Sequence, residues 1–106
     1  MKRLTSLFPV LLFTALNCWG QAPKELYQQG VHAMQKGNAA SAIHYFSLTI
    51  EADENFAQAH GALGTLLLET GDFTKAETHL KTSLALDPSL SIASLNLAHL
   101  YRQSGR

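Results

Sequence analysis

From Pro23 onward, apolar and small residues recur at helical spacing, and glycine cuts the runs they form at regular intervals. The interruptions keep a fixed step. Gly37, Gly71 and Gly105 are each 34 residues apart, and Gly30 and Gly64 keep the same step with Ala98 at the third station. The pairs Ala42 and Ala76, Asp53 and Asp87, Ala59 and Ala93, and Leu63 and Leu97 follow it too. A period of this length is the signature of stacked supersecondary units, each too small to bury its apolar face alone. The spacing predicts two antiparallel helices per period, over about 23–36, 39–53, 57–70, 73–86 and 91–103.

The punctuation has a mechanism. Gly71 ends a helix because glycine accepts the left-handed backbone that closes one. Asp72, like Asn38 one period earlier, is placed to accept free N–H groups and start the next helix. Pro88 stops the fourth helix, since the residue before a proline avoids the α region. Gly64 differs from these because it lies inside a helix, where it costs about 1 kcal/mol relative to alanine. Close approach of the partner helix is the expected compensation, with Ala76 as the small residue opposite.

These stations resemble the tetratricopeptide repeat. A unit beginning at Ala57 carries Leu63, Gly64, Leu67, Gly71, Ala76, Leu80, Ser83 and Pro88 where that family has Leu, Gly, an aromatic, Gly, Ala, an aromatic, Ala and Pro. A unit beginning at Pro23 matches through Leu26, Gly30, Gly37, Ala42 and Phe46, and departs at Gln29, Ala33, Thr49 and Glu54. A third begins at Ser91 with Leu97, Ala98 and Tyr101 and stops after its first helix. The resemblance implies an all-α, right-handed helical-repeat solenoid of about two and a half repeats, divided as 23–56, 57–90 and 91–106. Its repeat-packing residues are Gly30, Gly37, Ala42, Phe46, Gly64, Gly71, Ala76, Pro88 and Ala98.

The first twenty residues do not share the period. Lys2 and Arg3 precede an apolar run of about 13 residues, Leu4 to Leu16, short of the roughly 20 that span a bilayer. Residues 1–20 are therefore expected to be a signal peptide cut before Gln21. An uncleaved membrane anchor, or acylation of Cys18, are the other readings. Cys18 is the sole cysteine, so no disulfide is expected to support the exported chain. The whole chain has zero formal charge, and residues 21–106 hold six basic against eight acidic side chains, or −2. Without a basic surface, nucleic acid is not an expected partner.

Candidate chemistry narrows the function further. Neither a nucleophile elbow nor a phosphate-cradling loop occurs, and the glycines already have structural uses, so no catalytic site is expected. No two of the five histidines are spaced i, i+4, and neither a metal nor a cofactor is expected. The resemblance implies instead a concave inner surface built from the first helix of each unit. Tyr27, Val31, Met34, Thr65, Leu68, Ile92, Leu95, His99 and Arg102 are its candidate partner-binding residues. Its apolar and aromatic character suits an amphipathic helix or an extended apolar peptide. The Lys, Asn and Arg clamp that some relatives use for a peptide carboxylate is absent: Tyr27, Gly61 and Leu95 stand at one of its stations, and Val31, Thr65 and His99 at the other.

The expected function is thus an exported, non-catalytic scaffold that binds a protein or peptide. Alternatives are self-association through the last helix, a truncated piece of a longer array, and a lipid-anchored factor for envelope or pilus assembly.

Overall fold

The computed structural model describes residues 22–105. The expected signal segment and Cys18 lie outside them. The described chain is all α: α1 (Pro23–Gln35), α2 (Ala39–Ala52), α3 (Ala57–Thr70), α4 (Phe73–Leu86) and α5 (Ser91–Gln103). Only α1 and α2 differ from expectation, each ending one residue early. The 34-residue step is visible in the backbone, because Gly37, Gly71 and Gly105 all take the left-handed conformation, with φ of 77°, 89° and 77°.

The turns inside the first two repeats are copies of one another. The Gly71 N–H donates to Leu68 O and that of Asp72 to Leu67 O, just as Gly37 donates to Met34 O and Asn38 to Ala33 O. Carbonyls that a helix end leaves free are satisfied in this way. The next helix starts at once, as the sequence implied: Asn38 Oδ1 accepts the Ser41 N–H at 3.2 Å, and Asp72 Oδ1 that of Lys75 at 3.3 Å.

The corners between repeats depend on aspartate more than on proline. Asp53 and Asp87 are both extended, and their carboxylates accept N–H groups two residues on, from Asn55 at 3.0 Å and Ser89 at 3.1 Å. Such local bonds turn the chain by themselves. The first corner therefore closes with Glu54 where the second has Pro88.

Antiparallel pairing follows from the contacts across α3 and α4. Gly64, midway along α3, faces Leu80, whereas Ala57, at its start, has its carbonyl bonded by the Ser83 hydroxyl at 2.8 Å. Earlier residues of one helix meet later residues of the other. A Cβ on Gly64 would lie 2.8 Å from Leu80 Cγ and 3.2 Å from Ala76 O, so the bulky Leu80 side chain presses closest and Ala76 contributes its backbone. The first repeat repeats the arrangement, with the Phe46 ring 2.6 Å from where a Gly30 Cβ would be. Ala42, Phe46, Ala76 and Leu80 are completely buried.

Two core clusters result, and α3 supplies both. Leu63 and Leu66 join Ala33, Ala42 and Phe46 in the first, while Leu68 joins Ala76, Leu80, Ala93 and Leu100 in the second. Ala98 is exposed, unlike Gly30 and Gly64 at the same station, because α5 has no following helix against it among the described residues. By holding α1 on one side and α5 on the other, α3 sets the spacing of the inner surface.

Candidate functional site

The first helices of the three repeats bring part of the expected set together. Tyr27 and Met34 from α1, Thr65 from α3 and Ile92 from α5 line one concavity of about 240 Å³, with Gly61, Ala62 and Ala93 among its other residues. The small residues at those three positions leave room for the concavity. Leu68 and His99 line a second depression of about 640 Å³ together with Glu69, Phe73, Asn96 and Gln103, and Thr65 borders both. Val31, Leu95 and Arg102 line neither.

The expected residues differ in exposure. Ile92 and Leu95 are 71% and 68% exposed and Met34 is 39% exposed, all well above what a core side chain shows. Leu68 is 7% exposed and belongs to the second core cluster, because α5 packs over it. Val31 packs against the first cluster. His99 and Arg102 stand in solvent on the outer turns of α5.

Tyr27 is both wall and core. Its ring lies 5.6 Å from that of Phe46 and 5.1 Å from that of Phe56. Burial raises its phenol pKa above the ordinary 10.0. The folded state therefore holds this proton more tightly than the unfolded chain does, and the neutral ring's contribution is intact below about pH 10 and is lost as pH climbs through the raised value. We expect the urea midpoint to fall between pH 9 and pH 11 and Tyr27→Phe to flatten that fall. Identical slopes for the two proteins would remove Tyr27 as the cause.

Thr65 joins α3 to α5. Its hydroxyl donates to Gly61 O at 2.8 Å and accepts from Asn96 Nδ2 at 2.6 Å. Asn96 was not among the expected residues. Its counterparts one and two periods back are Ala62 and Gln28, so an amide returns at a station where the middle repeat has alanine, and that was the available signal.

His60 and His79 form a second cluster that spacing did not show. His60 is buried, and its Nε2 donates to Glu54 O at 2.9 Å. Its Nδ1 is 3.1 Å from His79 Nδ1, with the rings stacked at 5.4 Å between centroids. The His79 pKa is lowered, chiefly by burial and further by His60 and Lys75. These two residues are 19 apart in sequence, so only the hairpin register places them together.

Repeated caps, paired helices and a concave face from alternate helices agree with the comparisons to known proteins. The family model described as Tetratricopeptide repeat matches residues 27–91 and 62–106. This chain belongs to the tetratricopeptide repeat family. Tetratricopeptide repeats generally mediate protein–protein interaction and are typically non-catalytic. This tetratricopeptide chain is also 36% identical over 63 residues to the cellulose synthase operon protein C of Escherichia coli K12 and to the putative protein of that name in Escherichia coli O157:H7. The match covers 59% of the chain and only 5% and 6% of those proteins. None of the described helices is long and apolar enough to cross a membrane.

Proposed function

We propose that the chain is an exported, non-catalytic scaffold that holds an apolar segment of a protein or peptide partner on its inner surface. The carrying observation is the concavity where Tyr27, Met34, Thr65 and Ile92 meet over the small residues Gly61, Ala62 and Ala93. Aromatic and apolar side chains around a small-residue bottom accept a bulky anchor from a partner, which is how few residues come to carry most of a binding energy. Export rests on Lys2, Arg3 and the Leu4–Leu16 run. Similarity to cellulose synthase operon protein C makes a cellulose-synthesis assembly the first place to seek that partner.

Self-association is the second reading, favoured by the exposure of Ile92 and Leu95 on α5. Photo-crosslinking in cells separates the two, with the probe placed in turn at Met34, Ile92 and Leu95, and at His44 on the exposed side of α2 as a control. The scaffold reading predicts one foreign protein captured from Met34 and Ile92 but not from His44. Adducts only between copies of the chain, strongest from Leu95, would replace it with self-assembly.

A further inference from the structure

The His60–His79 pair has no part in the groove, and it brings two imidazole nitrogens together across α3 and α4. Glu54 O can only accept a hydrogen bond, so the Nε2 of His60 that contacts it at 2.9 Å carries the hydrogen. The Nδ1 of the neutral ring then carries only a lone pair, which accepts the Nδ1–H of His79 at 3.1 Å across the helix pair. Pinning one ring nitrogen to a backbone carbonyl while the other is offered is the usual arrangement behind a metal-bound imidazole.

We propose that His60 and His79 form a two-imidazole chelate for a borderline divalent cation, Zn²⁺ or Cu²⁺, which ties α3 to α4 in the second repeat. Imidazole nitrogens bind such ions at about 2.0–2.1 Å, which at a tetrahedral angle sets the two nitrogens about 3.3–3.4 Å apart. The present separation is 3.1 Å. An ion bound there takes the place of the hydrogen that the two Nδ1 atoms share, the half-buried His79 ring turning so that both lone pairs meet at the ion, and its partial exposure gives the ion a way in.

Among the described residues no group of three or more His, Cys, Asp or Glu side chains gathers in one place, so water completes the coordination. The Lys75 ammonium acts electrostatically on His79 and opposes an incoming cation. Both facts select for the ions that bind imidazole most strongly, Cu²⁺ ahead of Zn²⁺, and against Mg²⁺. The chain contains its own comparison, because Leu26 and Tyr45 occupy the corresponding stations of the first repeat and offer no such pair.

The test is thermal melting of the full chain, free of any affinity tag, with Cu²⁺, Zn²⁺ or Mg²⁺ added at neutral pH. An ion that binds only the folded state raises the midpoint in proportion to its occupancy. We expect a rise of several degrees with Cu²⁺, a smaller one with Zn²⁺ and none with Mg²⁺. His79→Gln, at a half-buried position, keeps the fold and abolishes the rise. Nitrogen NMR of labelled imidazoles gives a second readout, a Zn²⁺-dependent shift of Nδ1 on both rings. The proposal is overturned if neither ion moves the midpoint or the Nδ1 signals of the unmodified chain. An equal rise in His79→Gln overturns it as well, since the ion then sits on other histidines.

Discussion

Gly64→Leu should abolish the cooperative thermal transition of this module, as read by helical circular dichroism. The first added carbon alone would stand 2.8 Å from Leu80 Cγ and 3.2 Å from Ala76 O. Leu80 is completely buried and has nowhere to turn, and a helix carbonyl cannot retreat without moving α4. Overpacking typically costs about 1–3 kcal/mol for a few extra methylenes, and here three more carbons follow the first into the same contact. A module of this size has only about 4–13 kcal/mol of stability in total. Gly64→Ala provides the graded control. It regains up to about 1 kcal/mol of helix propensity but still meets Leu80, so its melting point should fall modestly. A Gly64→Leu protein that melts like the unmodified chain would mean that α3 and α4 are not closely apposed.

Phe46→Ala is expected to have the second-largest effect, a loss of about 3–5 kcal/mol and more than about 10 °C in melting temperature. The ring is completely buried, fills the hollow over Gly30 and packs against Tyr27 at 5.6 Å. Because a Gly30 Cβ would collide with that ring, Gly30 and Phe46 are coupled in a way that a double-mutant cycle can read. Gly30→Ala should destabilise the unmodified chain. In the Phe46→Ala background it should become neutral or stabilising, since the new methyl enters vacated space and the helix gains propensity. Equal effects of Gly30→Ala in both backgrounds would show that the ring does not fill the hollow over Gly30.

These glycine and large-residue pairs explain why so much of the fold was legible. A glycine inside a helix is costly enough that its recurrence at 34 residues had to mean a contact. The glycine followed by Asn38 or Asp72 marked helix ends to within a residue, because caps are local chemistry between near neighbours in sequence. Contacts between distant residues were harder to read. Leu68, expected in the groove, lines the second depression and also belongs to the core, because α5 packs over it. Ala98 was expected to pack and is exposed because that station needs a following helix. The histidine pair was hidden by testing only spacings within one helix. The contact runs between helices, from residue 60 on α3 to residue 79 on α4, where no spacing within one helix could show it.

The bond between Asn96 and Thr65 bears on what the inner surface can discriminate. The Thr65 hydroxyl stands on the saddle between the two depressions with its hydrogen already given to Gly61 and one lone pair already taken by Asn96. A guest carbonyl arriving there finds no donor on Thr65 itself but can take the second Nδ2 hydrogen of Asn96, and a guest N–H can use the remaining Thr65 lone pair. The saddle thus offers a donor and an acceptor side by side, the complement of what one peptide unit of an extended chain presents. Pairing with both would fix the register in which such a chain lies across the surface.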